Sequence, residues 1–260
     1  MNGYVVTPVR YLGRWSIGVI RSLGSAGYLA VGAVGALKNV EIWGGRLVPQ
    51  MVAIGVASVP IALFIATFTG IVLALQASYT LTDAVPMYFV GALVGKTMIL
   101  ELGPVLTGLA LAGRVGAGVA SEIGTMRVTE QIDALETLAY DPLAYLVVPR
   151  VLAGLIMFPV VVVLATAMGV VAGWGSSLAL LDMSSAEFVK GLRLFFEPWD
   201  VQFAAIKSVS FGLVVTGVGA SYGFHTRGGA AGVGVATTRA VVTSSMLILA
   251  LDALWALVLL

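Results

Sequence analysis

The sequence predicts an all-α polytopic membrane protein. An N-terminal amphipathic helix lies in the membrane interface and five transmembrane helices follow, with the N-terminus cytoplasmic and the C-terminus outside. Three observations predict this: an excess of apolar residues, long charge-free runs, and basic residues gathered on alternate sides of the spans. Of 260 residues, 59% are hydrophobic and 10% charged, and mean hydropathy is +1.03. Soluble domains carry about 25% charged residues. This chain lacks the polar surface to cover a water-soluble globule, which excludes a soluble enzyme, a disordered chain and a disulfide scaffold. The absence of cysteine excludes thiol catalysis and cysteine-ligated metal sites. A net charge of +1 gives no sign of a nucleic-acid partner.

Residues 1–45 form the interfacial region. Arg10, Arg14 and Arg21 fall on one helical stripe, with Val5, Leu12, Trp15, Val19 and Leu23 opposite. That pattern suits a helix in the headgroup layer, arginines toward phosphate. Residues 46–260 form the membrane domain. The charge-free runs Leu47 to Thr82, Val151 to Leu181 and Ser208 to Thr226 mark spans at about 51–76, 150–178 and 203–222. Two more, about 86–113 and 240–260, are interrupted only by Lys96, Glu101 and Asp252. A central charge costs about 2.5–3.5 kcal/mol on insertion scales, so these residues face the bundle interior. Lys207 lies inside the fourth span. Unpaired charge at that depth is expensive, so Lys96, Glu101, Lys207 and Asp252 are the expected intramembrane pairing groups. Lys207 with Asp252 is the first choice, because a short loop joins their spans, and Glu101 is the next partner for Lys207. Lys96 and Glu101 are five residues apart, about 140° around an α-helix, and do not pair with each other. Glu101 precedes Gly103-Pro104, where a kink frees carbonyls and widens the bundle.

Basic residues set the orientation. Segments 1–49, 114–150 and 223–239 together carry ten Lys/Arg, against two in 179–202 and none in the loop near Asp83. Small residues recur at helix-packing spacing in Gly91/Gly95, Gly169/Gly173 and Gly219/Gly223, permitting close helix approach.

Few motifs carry chemistry. Gly91 to Thr97 resembles a phosphate loop but has one residue too few between its glycines and no strand before them. No nucleotide site is visible, so ATP and Mg would be bound by a partner subunit, and this chain needs no cofactor of its own. The single histidine, His225, follows Ser221 by four residues. An intramembrane hydrolase using Ser221/His225 is one alternative, though no oxyanion motif accompanies the pair and a capping histidine fits better. No catalytic residue and no metal ligand is assigned.

The segment 101–150 is the most informative. Val128, Ile132, Leu135 and Ala139 repeat along one face of a helix at about 127–139, while Glu130, Asp133 and Thr137 form another, with Glu136 nearby. Asp141-Pro142 stops it. Anionic headgroups repel such an acidic helix, which suits instead a groove on a cytoplasmic protein.

The same stretch resembles a family. Glu101-Leu-Gly-Pro104, Ala112-Gly-Arg114-Val-Gly116, Ser121-Glu122-Ile-Gly124-Thr-Met126-Arg127, Glu130-Gln131-Ile-Asp133-Ala-Leu-Glu136 and Asp141-Pro142 are similar to the MlaE permease family, the membrane subunits of Mce-type ABC transporters. Ala236 to Ser245 and Leu249 to Asp252 add to the resemblance, which covers roughly 45–260. It implies a permease homodimer with two cytoplasmic ABC ATPases beneath it and a periplasmic Mce-domain protein outside. A small regulatory cytoplasmic subunit is a further implied partner. It implies transport of lipid, of the phospholipid class, between the bacterial inner membrane and the periplasmic or outer-membrane side, and it places the C-terminus in the periplasm. The acidic helix becomes the coupling helix, with Arg127, Glu130, Gln131, Asp133 and Glu136 as ATPase-coupling residues. Arg114 and Glu122 either anchor its loop or pair within the protein. Val72, Leu75, Gln76 and Tyr79 end the first span near the outer leaflet, and with Glu101 they are the candidate lipid-binding residues. An apolar wall with a few polar groups suits a lipid cavity at the dimer axis, although plain lipid-facing surface with an interfacial tyrosine accounts for Tyr79 as well. A membrane scaffold that holds an Mce-type protein without moving lipid is the other alternative.

Overall fold

The computed structural model describes residues 24, 25, 27–81 and 85–259. The expected interfacial helix, with Arg10, Arg14 and Arg21, lies outside them. Every element among the described residues is helical. A short apolar helix, α1 (Gly27–Ala36), comes first. Five helical segments are then long and apolar enough to cross a membrane: Val40–Thr80, Tyr88–Val128, Leu143–Leu180, Pro198–Phe224 and Gly229–Leu259.

Each span is longer than the apolar run that marks it, because helices continue past the hydrocarbon wherever side-chain propensity and packing allow. The first joins α2 (Val40–Ile54) to α3 (Val59–Thr80) through one tight turn at Val56–Ser58. The second is divided into α4 (Tyr88–Thr97), α5 (Gly103–Leu111) and α6 (Ala117–Val128). Wide five-residue turns at Met98–Leu102 and Ala112–Gly116 separate these pieces. A short helix, α7 (Gln131–Thr137), leads to the third span, where another wide turn, Leu143–Val147, precedes α8 (Val148–Leu180). Two of the wide turns end just before a proline, Pro104 and Pro149. Proline cannot donate to the carbonyl four residues back. Widening the preceding turn lets the helix run on without breaking.

At the opposite end from α7, α9 (Ser185–Leu194) links the third span to α10 (Pro198–Phe224), and α11 (Gly229–Leu259) completes the chain. The sequence expectation treats 179–202 as a plain loop, but Ser184 and Glu187 form a capping box. Glu187 Oε2 accepts from the Ser184 backbone N–H at 2.8 Å, and Ser184 Oγ accepts from Glu187 N at 3.3 Å. The Ser184 N–H, and then its hydroxyl, hold the Glu187 carboxyl below its ordinary range. The helix so started folds back on α4, where Gly91 and Gly191 let the two backbones touch.

The core is built on α8, which packs against α3 on one side and α10 on the other. Phe158, Val161, Ala165, Phe211 and Val215 are sealed there. Glycines set the separations. A Cβ on Gly173 would lie 3.1 Å from the Gly70 carbonyl oxygen, and one on Gly219 would lie 2.9 Å from that of Gly116. With no hydrophobic force between helices in lipid, such backbone contacts hold the bundle by dispersion. The outer faces carry Phe64, Phe68 and Val72 on α3 and Met246, Leu249 and Leu257 on α11, all exposed. In water this surface would aggregate, but in a bilayer it is solvated by acyl chains.

The α8–α10 crossing gives a direct test. A Cβ on Gly212 would sit 2.5 Å from the Gly154 carbonyl oxygen, whereas one on Gly175, in the same α8, meets nothing within 4 Å. Gly212→Val is expected to destabilise by about 1–3 kcal/mol through overpacking. Gly175→Ala is expected to be neutral or to gain up to about 1 kcal/mol of helix propensity. Thermal unfolding of the detergent-purified chain separates them, and equal midpoints for the two variants would refute the crossing geometry.

Candidate functional site

The second span brings its charges to α10. Lys207 is fully buried, and its ammonium makes three contacts. It donates to Glu101 Oε2 at 2.8 Å and to the Leu100 carbonyl at 3.0 Å, and it lies 2.7 Å from Asp252 Oδ1. The Leu100 carbonyl is the one whose α-helical donor would be residue 104, a proline. The ammonium takes the place of that missing N–H. The Phe203 ring sits 4.6 Å from Nζ and closes the remaining side. The structure therefore brings together three of the four charges expected to pair, with Lys207 holding Glu101 and Asp252 at once. Three spans meet at this one atom.

Lys96 pairs elsewhere. Its ammonium donates to both carboxylate oxygens of Asp200, at 2.8 and 2.9 Å, and to the Phe195 carbonyl at 3.2 Å. Asp200 Oδ2 also accepts from the Glu197 backbone N–H at 3.1 Å, capping the start of α10. Asp200 lies in the segment read from sequence as an outside loop, so the pairing was not anticipated. The signal that could have found it is Pro198 followed by Asp200, an N-terminal helix pattern that starts the fourth span five residues earlier. The wide turn at Met98–Leu102 changes the geometry as well. It reduces the angle between Lys96 and Glu101, and both reach α10.

At the other end, Glu122 pairs with the buried Arg150 at 2.8 Å, tying α6 to α8 at the base of the α7 loop. Arg114 donates to Ser58 Oγ at 2.6 Å and to the Ala53 carbonyl at 3.2 Å, joining the second span to the first. Both residues pair within the protein. α7 is shorter than the helix expected at about 127–139. α6 runs on to Val128, Glu130 adopts a left-handed φ of 60°, and a new helix begins at Gln131. Ile132 is the buried anchor of this loop, while Glu130, Gln131, Asp133 and Glu136 are exposed. Arg127 donates to Asp133 Oδ1 at 2.6 Å, bracing the loop across the break. Leu138 and Tyr140 add an exposed apolar edge beside the acids.

Val72, Leu75, Gln76 and Tyr79 share one open face of α3, Tyr79 being 91% exposed. Glu101 turns instead toward Lys207. His225 Nδ1 lies 2.8 Å from the Ser221 backbone carbonyl oxygen, which makes it a terminator of α10 with its ring nitrogen already engaged.

Removing Lys207 strands two carboxylates. Lys207→Met is expected to cost about 3–5 kcal/mol, the range for breaking a buried pair from one side. Adding Glu101→Gln and Asp252→Asn to that variant should recover part of the loss, while Asp252→Asn alone, which leaves Glu101 in place, should be milder. A mutant cycle on thermal stability that comes out additive would show that the three groups do not interact.

The chain was compared with known proteins. A family model described as Permease MlaE matches residues 47–258. A probable ABC transporter permease protein of Rickettsia conorii is 38% identical over 92% of each chain. The intermembrane phospholipid transport system permease protein MlaE of Haemophilus influenzae is 36% identical over 95% of each. The chloroplastic protein TRIGALACTOSYLDIACYLGLYCEROL 1 of Arabidopsis thaliana is 34% identical over 80% of this chain and 59% of its own length. With the match reaching all five spans, this multi-pass membrane protein belongs to the MlaE permease family of ABC transporter permeases.

Proposed function

We propose that this chain moves phospholipid between membranes as one half of a permease homodimer, driven by a separate ABC ATPase on the α7 side. The relative from Haemophilus influenzae, matched along nearly all of both chains, is an intermembrane phospholipid transport permease, and it supports the choice of cargo. An Mce-domain protein on the α9 side would receive or deliver the lipid. The basic residues at the α7 side of the spans favour a cytoplasmic location for that end, in a bacterial inner membrane.

The carrying observation is the α6–α7 loop. It presents Glu130, Asp133 and Glu136 to solvent with Leu138 and Tyr140 beside them, on a helix anchored by Ile132 and braced by Arg127. A rigid, acidic, partly apolar projection at the end of two spans fits a groove on a soluble partner better than it fits an anionic membrane surface. Because its base is tied to α8 through Glu122 and Arg150, a push on α7 reaches the third span directly. On the lipid side, the open strip Val72, Leu75, Gln76 and Tyr79 would be completed by the second copy.

The test is charge reversal on α7. Glu130→Lys with Asp133→Lys is expected to release the ATPase from the tagged complex or to uncouple its hydrolysis from lipid movement. One lost charged contact in such an interface costs about 2–5 kcal/mol. Co-purification and a lipid-transfer assay read the result. Full ATPase recovery together with wild-type transfer would sink the proposal, whereas an ATPase that stays bound and hydrolyses without moving lipid is the uncoupled outcome expected of a coupling helix.

A further inference from the structure

A groove of about 530 Å³ opens between α8, α9 and α10, with Ile99 of the second span on its wall and no residue of the α3 strip in its lining. Val163, Val171, Ala204 and Phe196 are among its walls, and Arg193 of α9 stands at one end. On α8 it extends from Val171 to Val162, nine residues, or about 14 Å at the helical rise. One leaflet of the hydrocarbon core is about half of 30 Å deep. The groove is thus as deep as a single leaflet, apolar along its length, and basic at the end where α9 meets the membrane surface.

Several of the charges around that end are already engaged. Lys96 is held by Asp200 and the Phe195 carbonyl, Lys190 lies over the Tyr88 ring, and Glu187 is folded into its capping box. Arg193 is exposed and has no ion-pair or hydrogen-bond partner among the described residues. A guanidinium presents a planar fork matched to phosphate oxygens.

We infer that this groove binds one phospholipid of the leaflet on the α9 side, an acyl chain along Val171 and Val163 and the headgroup phosphate on Arg193. The site is lateral to the bundle and does not depend on the transport reading, since it needs only the spans and a bilayer. A phospholipid resident there would fill the gap that α9 leaves as it leans away to pack on α4.

The experiment places a photo-reactive benzophenone residue at position 171, or at position 257 on the exposed face of α11, in the full chain reconstituted into phosphatidylglycerol nanodiscs. The sample is exchanged into detergent before irradiation, and the captured species is identified by mass spectrometry. Capture of phospholipid at 171 is expected to survive the exchange, while capture at 257 is lost with the bulk lipid. Arg193→Glu should lower the capture at 171 about tenfold, the scale of one charge-assisted hydrogen bond, and Arg193→Lys should restore most of it. Arg193 is exposed, so these variants are expected to match the parent in thermal midpoint. Equal loss of lipid at 171 and 257, unchanged capture in Arg193→Glu, or capture of a polypeptide in place of lipid would each overturn the assignment.

Discussion

A single ammonium group, Lys207 Nζ, stands where the second, fourth and fifth spans converge. Bilayer interiors offer no water to satisfy it, so everything around it must. Glu101 and Asp252 supply opposite charge, the Leu100 carbonyl supplies an acceptor, and the Phe203 ring supplies a negative face. None of these partners is adjacent to another in sequence except Leu100 and Glu101. The placement of three spans is thereby tied to one side chain, and the proline that strips Leu100 of its helical donor belongs to the same arrangement.

The glycine crossings act in the complementary way. They set how near the helices come, while the charges set where along their length they meet. Close backbone contact between α8 and both α3 and α10 leaves little slack in that part of the bundle. The wide turns of the second span lie beside this dense block, and they let α4, α5 and α6 present different faces to their neighbours without a break in the rod.

Much of the architecture is legible in the sequence. The charge-free runs marked three of the five spans, because a helix crossing lipid can carry almost no charge, and the other two showed as apolar runs broken only by Lys96, Glu101 and Asp252. Their ends were set too short because the polar turns outside the hydrocarbon remain helical, as at Val40 to Gln50 and Arg114 to Val128. Ser184 and Glu187 announced a helix in the outside loop, yet in a chain this apolar the hydropathy signal overshadowed a capping box. The involvement of Lys207 was visible from its depth, but its sharing between Glu101 and Asp252 was not, since sequence gives no measure of which of four neighbouring spans a side chain touches. The α6–α7 loop was legible as an acidic amphipathic stretch. Its interruption at Glu130 was not, because a left-handed φ at a non-glycine residue leaves no compositional trace.

The two ion pairs between the second span and α10 run in opposite senses. Lys96 meets Asp200, and further along in the same direction Glu101 meets Lys207. Such an alternation works like the teeth of a key. If α10 slid along its neighbour by the distance between the two rungs, lysine would face lysine in one direction and aspartate would face glutamate in the other. Like charges brought face to face between packed helices repel one another, with little solvent between them to screen the repulsion. The alternation of sign, more than the strength of either pair, leaves these two spans a single way to lie together.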